Sequence, residues 1–75
     1  METNIKDEFP LISFIMPVYN DGDSVEKAIQ SILDQDWPSI EVIAVNDGSK
    51  DNTRKVLDDL QKRHRNLTVL HFDNN

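Results

Sequence analysis

Residues 40–53, Ile-Glu-Val-Ile-Ala-Val-Asn-Asp-Gly-Ser-Lys-Asp-Asn-Thr, constrain the fold more than any other stretch of this chain. The first six carry one charge, Glu41 near the start, and read as a buried strand. The strand stops in a polar turn, and Asp51, or Ser49 just before it, can cap a helix that opens at once. A strand leading directly into a helix is the repeating step of an open α/β sheet. Ligands of such sheets bind outside the carboxyl ends of the strands, and Asp47 stands at one of those ends. Its carboxylate can accept hydrogen bonds from a ligand's N–H or hydroxyl groups. The same letters, Asp47-Gly48-Ser49, are also ordinary turn chemistry, with Gly48 supplying a positive φ.

The flanking segments repeat the step. Residues 11–16 (Leu-Ile-Ser-Phe-Ile-Met) are nearly all apolar and lie between Pro10 and Pro17. Six residues are too few for a buried helix and suit a strand covered on both faces. Pro17-Val18-Tyr19-Asn20-Asp21-Gly22 then breaks the pattern. Asp23 and Glu26 have capping-box spacing, and Val25, Ala28, Ile29, Ile32 and Leu33 form one helical stripe. Pro38 restricts Trp37, so this helix should stop near Gln35 or Asp36. Thr53, Val56, Leu57 and Leu60 form a second stripe. Lys62, Arg63 and Arg65 suit the negative end of that helix, and Asn66 reads as its stop. Residues 67–72 make a third strand.

The order is β-α-β-α-β, and each crossover is long enough for a helix, which predicts a three-stranded parallel sheet. The expected class is α/β, one mononucleotide-binding half of a doubly wound, Rossmann-like fold. Residues 1–10 are expected to be a flexible lead-in and residues 11–75 a single unit. Unpaired edge strands would favour self-association, a route to a homo-oligomer.

Charge narrows the partners. A net charge of −6 argues against a nucleic-acid polymer or an anionic membrane surface, since both demand a basic face. An acidic chain that handles phosphates would call for a divalent cation. The absence of cysteine excludes disulfide and thiolate chemistry and fits a reducing compartment. No apolar run approaches the ~20 residues of a membrane span, and the polar, acidic opening is unlike a secretory signal. The expected location is cytoplasmic, with the inner face of a membrane reached only through segments outside this chain.

Several standard sites are missing. Pro17-Val18-Tyr19-Asn20 occupies the turn where a dinucleotide-binding Gly-x-Gly-x-x-Gly would lie, and there is no Gly-Lys-Ser/Thr phosphate loop. His64 and His71 have no metal-ligand spacing; they read as a solvated helix-end residue and a strand residue. Trp37 reads as a packing anchor. What remains lies on one rim. Tyr19 and Asn20 follow the first strand; Asp47, Gly48 and Ser49 follow the second. Parallel neighbouring strands bring these turns together, where a ring could stack on a nucleobase and Asp47 could accept from a base N–H. Tyr19 has a second reading as a half-buried ring sealing the strand end.

Three segments in this order and spacing resemble the N-terminal part of family 2 glycosyltransferases, which have the GT-A fold. They are Ile15-Met16-Pro17-Val18-Tyr19-Asn20, Ala28-Ile29-Gln30-Ser31-Ile32-Leu33-Asp34-Gln35, and the run from Glu41 through Asp47 to Thr53. The resemblance covers residues 11–72. It implies a nucleotide-sugar donor, commonly a UDP-sugar, whose base is held by the first two strand-end turns. Pro17, Val18 and Tyr19 would touch the base, partly through backbone, and Asp47 would pair with the uracil N–H. Asn20, Gly48 and Ser49 complete the implied nucleotide-binding set. Glu41 matches a structural acid, and Asn46 stands where many members carry a first aspartate.

The resemblance also implies Mn²⁺ or Mg²⁺ on an Asp-x-Asp motif after a later strand, and a catalytic base further on. Neither has a match before Asn75, so no catalytic or metal-binding residue is assigned within the chain. Asp21-Gly22-Asp23 has the letters of the motif but precedes the first helix and suits capping. The expectation is a parent enzyme that transfers sugar from a nucleoside-diphosphate sugar to an acceptor hydroxyl, with this stretch inactive alone. Two alternatives stay open: a non-enzymatic nucleotide-binding or self-associating module, and an NAD-dependent oxidoreductase fragment with Asp47 as the ribose-binding acid.

Overall fold

A computed structural model describes residues 9–73. Strand β1 (Ile12–Val18) is followed by helix α1 (Val25–Leu33), strand β2 (Ile40–Asp47), helix α2 (Thr53–Arg63) and strand β3 (Leu67–Phe72). The three strands form one parallel sheet in the order β1-β2-β3. The expected α/β architecture and element order are therefore present. Most of the expected residues 1–10 lead-in lies outside the described residues.

Both helices lie on the same face of the sheet. Two crossovers of one hand that step in one direction leave their helices on one side. The core follows from this. Val25 and Ile29 of α1 and Leu57 and Leu60 of α2 pack against Val18, Val42, Ala44 and Leu67. On β2 the exposure alternates, with Ile40, Val42, Ala44 and Asn46 buried under the helices. Successive strand residues point to opposite faces, so Ile15, Ile43, Val45, Leu70 and Phe72 share the other face. Ile15 is 63% exposed and Phe72 50%. The expectation of cover on both faces is thus not met among the described residues. An unbroken apolar run reports that both faces are greasy, not that both are covered.

Boundaries moved for identifiable reasons. β1 continues through Pro17 to Val18, past the proline expected to end it. It is an edge strand, where a missing N–H costs no ladder bond if it points outward. α1 begins at Val25 after Ser24, not after Asp23, and no side chain caps it. The expected capping box is absent, and the Ser24 hydroxyl donates instead to Asp21 Oδ1. α1 ends at Leu33, about a turn before the Pro38 effect would require. The N-cap position of α2 is Asn52. Asp51 nevertheless accepts the Thr53 N–H at 3.0 Å, performing the expected capping from one residue earlier. Asn66 reaches back to the Ile40 carbonyl at 3.2 Å. Trp37 is an anchor, donating its indole N–H to the Pro10 carbonyl at 3.0 Å and meeting Phe9 edge-on.

Candidate functional site

The carboxyl ends of β1 and β2 lie side by side because the register pairs Val18 with Asn46. Tyr19 and Asp47 are the next residues along the two strands, so both turns leave the sheet at one level. Two backbone features set the turns. Asn20 adopts φ 47° and Gly48 φ 71°, both in the left-handed region that asparagine and glycine tolerate best.

Four hydrogen bonds stitch the turns together. The Asn20 N–H donates to Ser49 Oγ at 2.9 Å, and the Lys50 N–H to Asn20 Oδ1 at 2.6 Å. The Asp21 N–H donates to Thr53 Oγ1 at 2.9 Å, and the Gly22 N–H to Asp51 Oδ2 at 3.3 Å. Gly22 allows the close approach: a Cβ there would stand 2.0 Å from Asn52 Oδ1, and that side chain would have to move. Thr53 is fully buried at the first turn of α2, and its hydroxyl also donates to Asp51. One threonine oxygen thus joins both turns to the helix start.

The expected site residues divide into three groups. Tyr19 is 59% exposed, so its ring does not seal the strand end. Pro17 and Asp47 are exposed on the rim as well. Val18 is 4% exposed and belongs to the core, so only its backbone is presented to the rim. Asn20, Gly48 and Ser49 shape the turns, Asn20 and Ser49 through the bonds just described. Asp47 lies on the open face of the sheet, in register with Phe72 of β3. A carboxylate has acceptor capacity for several donors at once.

Four residues were missed by sequence reasoning. Gly22 passed as a turn breaker and Thr53 as a stripe position. Asn46 is 2% exposed and its Oδ1 accepts the Ser49 N–H at 3.3 Å. His71, read as a plain strand residue, lies 3.0 Å from the Asn46 amide nitrogen and 2.8 Å from Asp58. A polar residue at a buried parity position of a strand, as Asn46 is, was the available signal.

Electrostatics single out Asp51. The Thr53 hydroxyl holds its carboxyl below the ordinary value; desolvation opposes this, and the N–H groups of Thr53, Gly22 and Asp51 itself add to it. A lowered folded-state pKa means that the charged form supports the fold. That support is present above the ordinary carboxylate value of about 3.9 and disappears as pH falls through the depressed one. Thermal unfolding midpoints should therefore drop below about pH 4, and Asp51→Asn should flatten the drop. An equally steep acid profile in the variant would refute this role.

Among the described residues no group of three or more His, Cys, Asp or Glu could hold a metal ion. Asp21, half of the Asp-x-Asp letters, is engaged with Ser24. The described residues do not fit a divalent cation. No described helix is long and apolar enough to cross a membrane.

The sequence profile described as "Glycosyl transferase family 2" matches residues 13–75. The chain is 40% identical over 65 residues to the uncharacterized glycosyltransferase EpsJ of Bacillus subtilis, covering 87% of this chain and 19% of that protein. It is also 40% identical over 53 residues to the poly-beta-1,6-N-acetyl-D-glucosamine synthase of Staphylococcus epidermidis, covering 71% and 13%. The chain thus spans a fifth or less of the length of these two relatives. Among solved structures, the mannosyltransferase PcManGT of Pyrobaculum calidifontis, in complex with GDP-Man and Mn²⁺, superposes with a TM-score of 0.79 at 27% identity. That match covers 89% of this chain and 21% of the other.

Proposed function

This chain belongs to glycosyl transferase family 2, and from that premise we propose that its stitched rim binds the base of a nucleoside-diphosphate sugar. The whole protein would then transfer the sugar to an acceptor hydroxyl. This stretch supplies base recognition and has no transferase activity by itself. Pro17, the Val18 backbone and Tyr19 make one wall, and Asp47 reads the base, on turns held by Asn20, Gly48 and Ser49. The observation that carries the reading is the set of four cross-turn hydrogen bonds. They hold an exposed aromatic ring and a carboxylate on one edge before any ligand arrives. Sites ordered in advance lose less free energy on binding.

Uracil is the first choice. Its ring N3–H can donate to a carboxylate, whereas the same position in cytosine is an acceptor that a carboxylate repels. Guanine is the second reading, because its N1–H and exocyclic N–H₂ also donate and the mannosyltransferase neighbour is complexed with GDP-Man. Adenine has no ring N–H on that edge, which disfavours NAD. Any divalent cation and the catalytic base would come from beyond Asn75, and the described residues place neither.

Calorimetric titrations of the chain with UDP, GDP, CDP and NAD test the reading. UDP or GDP should bind at least tenfold more tightly than CDP and NAD. Equal affinities for UDP and CDP, with GDP no tighter than either, would remove Asp47 as the reader. A preference for NAD would move the chain to the oxidoreductase alternative.

A further inference from the structure

Asn46 is a polar side chain with almost no solvent contact, placed where β2 otherwise buries Val42 and Ala44. Such a group is costly unless each polar atom finds a partner. Its Oδ1 accepts the Ser49 N–H at 3.3 Å and closes the Asp47-Gly48-Ser49 turn. Its Nδ2 is then directed at His71 Nδ1, 3.0 Å away on the neighbouring strand, where the register pairs the two residues. The other imidazole nitrogen, Nε2, lies 2.8 Å from Asp58 Oδ1 of α2.

The donors fix the protons. An amide nitrogen can only donate, so His71 Nδ1 must accept. The ring proton is then on Nε2 and is donated to Asp58, a carboxylate that can only accept. One neutral tautomer satisfies the whole chain, with donation running from Ser49 N–H to Asn46, from Asn46 to His71, and from His71 to Asp58. Reversing any member would place two donors or two acceptors face to face. No described buried side-chain nitrogen or oxygen lacks a partner, as this assignment requires.

We propose that His71 is a positioning residue for nucleotide recognition, acting through Asn46 to hold the turn that carries Asp47. The proposal rests on the nucleotide-binding reading above. His71 touches no ligand itself. It presents one acceptor in a fixed place and so dictates which way the Asn46 amide faces. With that acceptor gone, the amide can turn over, its nitrogen opposes the Ser49 N–H, and the turn loosens.

Two variants and two readouts separate this from a role in packing alone. His71→Phe keeps a ring and removes the acceptor. His71→Asn is smaller but keeps an oxygen close to the Nδ1 position. In ¹⁵N NMR at pH 8, where imidazole is ordinarily neutral, the parent chain should show a protonated Nε2 and a bare Nδ1. His71→Phe should shift the Ser49 amide and weaken UDP binding at least tenfold. His71→Asn should leave the Ser49 amide near its parent position and UDP binding within about threefold of the parent, a rescue that packing volume alone would not give.

UDP binding by His71→Phe equal to the parent's overturns the positioning role while the nucleotide reading stands. Absence of UDP and GDP binding by the parent overturns the nucleotide reading and this role with it, and is distinguished because the fault precedes any substitution. Should His71→Phe fail to fold, the parent spectrum and His71→Asn decide: an Nδ1-protonated ring, or no rescue, overturns the proposal.

Discussion

Asp47→Ala is expected to weaken UDP binding by about 10- to 150-fold, equivalent to the ~1.5–3 kcal/mol of a lost hydrogen bond to a charged group. The selectivity matters more than the size. In the parent chain the carboxylate should favour uracil and repel cytosine, so UDP and CDP should differ. With alanine in its place that difference should close, because neither attraction nor repulsion remains. General damage to the turn would weaken both nucleotides equally and leave the ratio intact. Calorimetry of both nucleotides on both chains therefore isolates the recognition event. A ratio unchanged by the substitution would dismiss Asp47 as the reader, whatever happened to the absolute affinities. Asp47 is exposed and follows the last buried residue of β2, so the circular dichroism spectrum should stay that of the parent.

Leu57→Ala should leave the chain with little or no folded population at 37 °C. Leu57 of α2 is fully buried, in the same core cluster as Ile29, Val42 and Ala44. Truncating such a leucine costs about 2–5 kcal/mol, combining lost transfer free energy with the cavity left behind. A chain of this size has a total stability of roughly 4–11 kcal/mol at ~0.05–0.15 kcal/mol per residue. It also buries only ~60% of its unfolded surface. Among the described residues one apolar sheet face is left uncovered, which makes the upper part of that range hard to reach. Urea unfolding followed by circular dichroism checks the expectation. A loss under about 1 kcal/mol would mean that the cluster around Leu57 is looser than its burial indicates.

The two predictions test different levels of the same molecule. Leu57 belongs to a core whose pattern is legible in the sequence. Thr53, Val56, Leu57 and Leu60 fall at helical spacing, and the structure buries Thr53, Leu57 and Leu60 and half-buries Val56. The third strand was legible to the residue, from Leu67 to Phe72. Helix starts were less so. Serine, aspartate and asparagine at adjacent positions all have capping chemistry, and the competition among Asp21, Asp23 and Ser24 is settled only when a turn from another strand arrives.

The rim shows the same division. Tyr19, Asp47 and Gly48 were visible as a polar break after each apolar run. The bonds that join the two breaks were not. Asn20 to Ser49, Asp21 to Thr53 and Gly22 to Asp51 each span about thirty residues of sequence. No local pattern encodes which backbone N–H will meet which side chain. Val18 is the instructive case. Its place in the motif suggested contact with a base, partly through backbone; its parity on β1 sends the side chain into the core and leaves the backbone for the rim.

The sequence by itself determined the order of elements, the parallel sheet and the identity of the two turns, because hydrophobic period and turn chemistry are local properties. Only the tertiary structure decided which sheet face the helices cover, and which side chains of the rim hold shape or stay exposed. It also brought Ser49, Asn46, His71 and Asp58 into one chain of hydrogen bonds that ends on the Asp58 carboxylate. Those outcomes depend on strand register and helix placement, which bring together groups far apart in the chain.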